Sequence, residues 1–218
     1  MIRCKWCNLK NQKYLEYHDK EWGIPSYDDK YLYEMLILES FQAGLSWECV
    51  LNKREDFRKA FDNFEIDRIC TYDDKKIKEL LKNENIIRNK LKINAAINNS
   101  KIFRQIQKEY KTFSNYIWSF TDNKIIYETN KTSSKLSDKI SKDLQRRGMK
   151  FVGTTIIYSY LQAIGVIHSH EEECFMYKSG KKKWNHIIWK PRSKIRSKLK
   201  RWNSMVNTSS NGWAVWKS

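Results

Sequence analysis

The amino-acid sequence predicts an all-α fold, and three observations support this. Its 218 residues include only two prolines and seven glycines, and Lys, Glu, Leu and Ile are abundant, a composition that favours helices over a β-sandwich or barrel. Apolar residues recur at helical spacing, as at Leu32, Met35 and Leu36. Capping residues and glycines stand where such runs begin and end. A chain of this length can bury its core as one large domain.

The same signals place the helices in chain order. Gly44 ends the first long helix, and Ser46 caps the next one. Ser133 and Ser134 offer caps for a later helix, whereas residues 124–128 alternate poorly and predict a short extended connection. The sequence therefore predicts helices near residues 29–43, 47–61, 74–83, 90–109, 135–147 and 154–165, and shorter helical turns near 12–19, 66–70, 114–119 and 169–174.

The net charge of +17 is unevenly distributed along the chain. Twelve of the 42 Lys and Arg residues follow Tyr177, where no Asp or Glu occurs, so residues 1–177 hold 30 basic and 25 acidic side chains. We therefore predict a folded domain over 1–177 and a basic, Trp-containing tail over 178–218 to which no regular structure is assigned. Binding of nucleic acid by the tail, a solubilising role and attachment to a membrane surface stay open.

The sequence also indicates a compartment. The first residues do not resemble a signal peptide, and no stretch of about 18 apolar residues occurs. Five cysteines, an odd number, fit a reducing environment better than a disulfide framework. We expect a cytoplasmic protein without a membrane partner, and nothing in the sequence requires more than a monomer.

Glu39 is the most informative residue, because it falls on the apolar face of the predicted 29–43 helix. An unpaired carboxylate there is costly unless it has a partner or takes up a proton. Aromatic residues flank it in the sequence, and an acid among aromatic rings suits a flat, cationic ring as ligand. The alternative is that these aromatic residues simply belong to the core. The nearest of them are Tyr14, Tyr17, Trp22 and Trp47.

Cysteine and histidine spacing allows a metal site. His170 and Cys174 are four residues apart, which is one turn if that segment is helical. Either Cys4 with His18, or Cys4 with Cys7, could complete a set of four ligands, and spacing alone favours neither. Ordinary core or surface positions for these residues are a further alternative.

A glycine-bounded turn joins the last two long predicted helices. Gly148 can adopt a positive φ at the end of one helix, and Gly153 lets the backbone approach a ligand. Thr154 or Thr155 would cap the following helix, whose free N–H groups, with Lys150 nearby, suit a phosphate oxygen. The alternative is an ordinary helical hairpin whose apolar residues Phe151 and Val152 pack into the core.

Two blocks of the sequence, Tyr14–Pro25 and Leu38–Glu55, are highly specific. Through them, residues 1–177 closely resemble the DNA-3-methyladenine glycosylase I family of the helix–hairpin–helix superfamily. Other matches lie at Arg3, Cys4 and Trp6, at Ile86, Ile87 and Arg88 with Lys90 and Lys92 following, at Trp118, Ser119 and Phe120, at Gly148–Thr155, and at Tyr158, Ser159, Gln162 and Ala163.

The resemblance implies a zinc-stabilised enzyme that removes 3-methyladenine from double-stranded DNA. It places the structural zinc on Cys4, His18, His170 and Cys174, which excludes Cys7. It assigns base recognition and catalysis to Glu39 and Tyr17, and the remaining walls of the base pocket to Tyr14, Trp47, Trp6 and Trp22. The positions of Ser40 and Phe41 vary within the resemblance, and the tail lies outside it.

DNA contact is expected at two turns. The resemblance places the family's hairpin on Gly148 to Gly153, and we expect DNA-binding roles for Gly148, Lys150, Gly153 and Thr154. We further expect Leu45 to fill the gap left when the damaged base leaves the stack. The motifs position no lysine for Schiff-base chemistry, so we expect no strand cleavage. The alternative function is a zinc-stabilised nucleic-acid-binding module without catalysis.

Overall fold

Ten α-helices make up most of the described chain, which is residues 1–178 of a computed structural model. In chain order they are α1 (Gln12–Lys20), α2 (Asp29–Gln42), α3 (Trp47–Asn52), α4 (Arg54–Ala60), α5 (Ile66–Ile69), α6 (Asp74–Lys82), α7 (Lys90–Tyr110), α8 (Phe113–Ser119), α9 (Lys135–Arg146) and α10 (Thr154–Ala163). The predicted helical fold is confirmed. Apart from Lys178, the expectations for residues 178–218 lie outside the described residues, and the domain boundary at Tyr177 stays a prediction.

A small parallel strand pair joins two distant parts of the chain. Strand β1 (Ile126–Tyr127) pairs with β2 (Ile167–His168), with Ile126 opposite Ile167. The extended connection predicted at 124–128 contains β1. Because each strand has only two residues, the pair links two segments of a helical fold and does not form the core of a sheet.

Helix α2 is the central element, and it is buried on all sides. Its ten consecutive residues Leu32–Phe41 are buried, because α3, α7, α8 and α10 all pack against it. The prediction of one apolar face was therefore too narrow. Two polar residues of α2 have partners inside the protein: Glu34 accepts hydrogen bonds from Arg54 at 2.6 Å and Arg58 at 2.8 Å, and Ser40 donates to the carbonyl of Leu36.

Two predicted helices differ from the structure. The helix expected over 47–61 breaks at Lys53 into α3 and α4, and a 3-10 turn follows at Asp62–Phe64. No glycine or proline marks the break; the buried ion pair between Arg54 and Glu34 accompanies it. The helical turn expected over 169–174 is wrong, since strand β2 leads there into an irregular loop.

The turn between α9 and α10, residues 147–153, matches the predicted glycine-bounded hairpin in outline. Gly148 has a φ of +99°, as expected for a helix end. Gly153 is the N-cap of α10, and Thr154 is the first helical residue, so the prediction of a threonine cap is wrong. The hydroxyl of Thr154 instead donates to Asp138 at 2.5 Å.

The segment after α1 lies against the end of α10. The N–H of Gly23 donates to the carbonyl of Gln162, and the N–H of Ser26 donates to that of Ile164. Gly165, with a φ of +73°, allows this contact, because a Cβ there would lie 2.2 Å from the carbonyl carbon of Ile24. Within residues 1–178, no helix has the length and apolar character needed to cross a membrane.

Candidate functional site

Helix α1 supplies side chains to two neighbouring sites. The side chain of Asn11 caps it by accepting hydrogen bonds from the N–H groups of Lys13 and Tyr14. Its buried face carries Tyr14, Tyr17 and His18. Tyr14 and Tyr17 line a pocket, whereas His18 belongs to a Cys/His cluster.

The pocket has a volume of about 350 Å³. Tyr17 and Trp47 approach each other with ring centroids 5.1 Å apart, and Trp6 stands edge-on to Trp22 at 4.7 Å. All six residues predicted for base binding and catalysis line this one pocket, together with seven others. The predicted residues are Trp6, Tyr14, Tyr17, Trp22, Glu39 and Trp47, and the others are Gln42, Asn130, Lys131, Ser159, Gln162, Ser169 and Glu171.

Glu39 reaches the pocket from the buried helix α2 and is only 3% exposed. Its Oε2 atom has no hydrogen-bond partner among the described residues. Burial raises the pKa of this carboxyl to about 8, because the charged form is poorly solvated there. The carboxyl therefore has unused hydrogen-bonding capacity, and an incoming cation or donor would favour its ionised form.

Hydrogen-bonding capacity is also unused on the aromatic side. The indole Nε1 of Trp47 is buried and has no acceptor within the described part of the chain. Burial raises the pKa of Tyr17 well above its usual value and that of Tyr14 to about 12, so both hydroxyls remain neutral. Aromatic faces, a carboxyl and an indole N–H together suit a planar ring with polar edges.

The polar residues that line the pocket were largely missed from the sequence. Ser159 and Gln162 come from α10, Ser169 follows β2, and Lys131 donates to Glu128 at 2.6 Å. Ser159 and Gln162 stood in the matching blocks without an assigned role, and no sequence signal pointed to Lys131. Glu171 also lines the pocket and accepts a hydrogen bond from the N–H of Lys5.

The four expected metal ligands come together in a buried cluster that could hold a metal ion. All four ligand atoms of Cys4, His18, His170 and Cys174 lie within 4.8 Å of one another. The Sγ of Cys4 is 3.4 Å from Nδ1 of His170, and that of Cys174 is 3.5 Å from Nε2 of His18. Cys7 is not a member; its Sγ points to the carbonyl of Tyr14.

Neighbouring groups orient both imidazoles. Nδ1 of His18 bonds Asp19 at 2.7 Å, and hydrogen bonds from Arg3 hold the pKa of that carboxyl below its usual value. Nε2 of His170 bonds the carbonyl of Trp22 at 3.1 Å, and burial lowers the pKa of His170 to about 3. One nitrogen of each ring is thus left directed at the cluster, the arrangement found around metal-binding histidines.

The residues expected to contact DNA lie on two turns outside the pocket. Leu45 follows the end of α2 and is 42% exposed. Lys150 is exposed on the α9–α10 turn, and Gly148, Gly153 and Thr154 are partly exposed beside it.

Fold and site together define a helical protein whose pocket, between aromatic side chains and a buried carboxyl, suits a planar ring. A family model described as methyladenine glycosylase matches residues 6–177, and the chain belongs to that family.

Individual relatives cover most of the chain. DNA-3-methyladenine glycosylase 1 of Escherichia coli is 39% identical over 187 residues, which span 83% of this chain and all of the relative. A crystal structure of 3-methyladenine DNA glycosylase I superposes with a TM-score of 0.78 at 39% identity, covering 81% of this chain and all of the other. A second structure of such an enzyme, a Tyr-to-Phe variant in complex with 3-methyladenine, gives a TM-score of 0.76 at 33% identity and covers 80% of this chain and 96% of the other.

Proposed function

We propose that this protein is a DNA glycosylase that hydrolyses the N-glycosidic bond of 3-methyladenine in alkylated double-stranded DNA. The observation that carries the proposal is the buried, unpartnered carboxyl of Glu39 in a pocket with five aromatic walls. Family membership and the relatives named for this activity support it. We further propose that the enzyme acts as a monomer.

Recognition rests on charge. Methylation at N3 makes the adenine of the nucleotide cationic, whereas normal adenine is neutral. The rings of Trp47, Tyr14 and Tyr17 attract a cationic ring through their π-faces, with Trp6 and Trp22 extending the wall. Glu39 then accepts hydrogen bonds from the purine edge and balances its charge. Normal adenine gains neither the cation–π attraction nor the charge balance with Glu39, so the pocket prefers the methylated base.

Hydrolysis needs little further help. The cationic base is already a good leaving group, and the bond between N9 and C1′ breaks with its electron pair passing to the base. Water adds its oxygen to C1′ and loses a proton, which leaves an abasic sugar and neutral 3-methyladenine. Glu39 and Tyr17 hold the base in place while its charge is lost. Lys131, the lysine of the pocket, is paired with Glu128, and the proposed enzyme does not cleave the strand.

Access to the base requires its rotation out of the duplex. Leu45 is exposed at the turn after α2 and fills the resulting gap. The α9–α10 turn serves as the helix–hairpin–helix element, in which the free N–H groups after Gly153 and the cation of Lys150 hold a phosphate, with Gly148 shaping the turn and Thr154 beginning the helix.

The Cys/His cluster fits a structural zinc ion. Zinc binds sulfur at about 2.3 Å and nitrogen at about 2.0 Å, so tetrahedral ligands lie about 3.5 Å apart, in agreement with the S···N distances given above. Four protein ligands leave no open position for a substrate water. Bound there, zinc stabilises the fold. Thiolate ligands also require reduced cysteines, which supports a cytoplasmic location.

The test is release of free 3-methyladenine from methylated duplex DNA by the wild-type protein and by Glu39→Gln. We expect release by the wild type, no strand cleavage, and about tenfold weaker binding of 3-methyladenine by the variant, the loss of one charge-assisted interaction. Binding of DNA without any base release would instead identify a non-catalytic nucleic-acid-binding module.

A further inference from the structure

Lys92 is a buried lysine to which the mechanism above gives no role. It lies in the first turn of α7 and is only 7% exposed. Its Nζ donates to the carbonyl of Phe41 at 2.7 Å and to that of Ala43 at 2.6 Å. A buried ammonium is costly unless its donors are satisfied, so these two contacts fix its position.

Both acceptors belong to the end of α2, directly before Leu45. The last turn of α2 contains no basic residue of its own, and its C-cap residue, Ala43, is non-helical. Lys92 therefore supplies the positive charge that stabilises the carbonyl end of a helix. Gly44, with a φ of +77°, then turns the chain outward to Leu45. The carbonyls held by Lys92 thus set the direction in which Leu45 projects.

The same helix holds the second turn. Asn98 donates to the carbonyl of Gly148 at 2.9 Å. Buried Asn99 both donates to the carbonyl of Lys150 and accepts from its N–H, each at 2.9 Å. The Nζ of Lys92 also lies 6.0 Å from the ring centroid of Phe151 in that turn. Helix α7 is therefore bonded to the turn that bears Leu45 and to the turn that bears Lys150.

Both attachments lie on one helix. Lys92 and Asn98 are six residues apart on α7, which is about 9 Å at 1.5 Å per residue. Because one rigid helix holds both turns, the position of Leu45 is tied to that of the α9–α10 turn.

We propose that Lys92 is a positioning residue for base flipping, which aligns Leu45 with the phosphate-holding turn through its bonds to Phe41 and Ala43. This inference rests on the proposed function. Lys92 touches neither the pocket nor, in this proposal, the DNA; it acts through the Leu45 turn. Replacement of Lys92 should therefore slow base release from duplex DNA and leave binding of free 3-methyladenine unchanged.

The test compares Lys92→Met with wild type in two measurements. Single-turnover release of 3-methyladenine from methylated duplex DNA should fall about 10- to 100-fold, the range produced by misplacing a group by about 1 Å. Binding of free 3-methyladenine, measured by tryptophan fluorescence, should be unchanged. Lys92→Arg, which can still donate to two carbonyls, should recover most of the rate. Lys101→Met, an exposed lysine of the same helix, is the control and should behave as wild type.

Each outcome decides the matter. Unchanged duplex activity in Lys92→Met, or an equal loss of free-base binding and duplex activity, overturns the positioning role. If Lys92→Met does not fold, Lys92→Gln, which removes the charge but keeps an N–H donor group on a shorter side chain, replaces it in both measurements. A wild-type protein that releases no 3-methyladenine overturns the proposed function itself, a result separate from any difference between variants.

Discussion

At Glu39, binding and stability make opposite demands on one side chain. A carboxyl that is 3% exposed and lacks a partner on Oε2 destabilises the folded protein when it is ionised. Its pKa rises from an ordinary 4.5 to about 8 on burial. The same unsatisfied state is what a cationic ligand would relieve. The protein therefore keeps a destabilising group at the position where an anion is needed.

Glu39→Gln should stabilise the protein at high pH. Because the folded pKa is the higher one, proton binding by Glu39 favours the fold fully below about pH 4.5 and ceases to do so as the pH rises through about 8. Glu39→Gln has no carboxyl at this position to ionise, so its stability does not fall in this way as the pH rises. Its melting temperature should exceed that of wild type by several degrees near pH 9 and by little near pH 4, given about 2–4 °C per kcal/mol for a chain of this size.

The matched control for this measurement is Glu16→Gln. Glu16 lies on α1 and is exposed, so its replacement should change the melting temperature little at either pH. A difference between wild type and Glu39→Gln that stays constant across the pH range would show that Glu39 is already ionised in the folded protein.

Among the elements, helix ends were easier to predict than helix interruptions. The caps of α2, α3 and α9 carry recognisable signals, such as the Ser134 side chain that accepts from the N–H of Ser137. The break at Lys53 has no such signal, because tertiary contacts of Arg54 accompany it. The prediction of a helical turn over 169–174 rested on the four-residue spacing of His170 and Cys174. A loop can also bring two residues at this spacing to the same cluster, as it does here.

Gly165 connects two elements by close approach, and its replacement should be severe. A Cβ at this position would lie 2.2 Å from the Ile24 carbonyl carbon and 2.3 Å from the Pro25 nitrogen, and φ is +73°. Gly165→Ala should lower the free energy of unfolding by about 3 kcal/mol or more, through overpacking against backbone and a left-handed conformation. Denaturant unfolding measures this.

Gly153→Ala provides the comparison. Gly153 has a φ of −62°, and a Cβ there meets no described atom within 4 Å. The free energy of unfolding of Gly153→Ala should differ from that of wild type by less than about 1 kcal/mol. Equal losses at the two glycines would show that the contact between the α1–α2 segment and the end of α10 is not tight.

For the whole molecule, the cluster of Cys4, His18, His170 and Cys174 joins the beginning of the described chain to its end. The sequence indicated the aromatic walls of the pocket because most of them lie close together between Trp6 and Trp22. The polar wall was missed because Lys131, Ser159 and Ser169 come from separate parts of the chain. Only the packing of α10 and the strand pair brings those residues to the pocket.

Removal of the proposed zinc ion should destabilise the whole protein. Chelation, or Cys174→Ser, is expected to lower the free energy of unfolding by more than about 3 kcal/mol, because in this proposal the zinc-binding energy contributes to folding. Cys7→Ser is the control, as Cys7 is equally buried but outside the cluster, and should cost about 1 kcal/mol. If chelation leaves the melting temperature of wild type unchanged, the cluster holds no structural metal.

The closure between Cys4 and Cys174 also bears on the order of events during synthesis. Trp6, Tyr14 and Tyr17 leave the ribosome early, yet the segment that carries them is held by contacts with His170 and Cys174, which emerge more than 150 residues later. A nascent chain that stops before His170 therefore has its aromatic wall without the anchor that fixes it. Incomplete chains of this protein should be unable to engage a damaged base, however much of the helical core they contain.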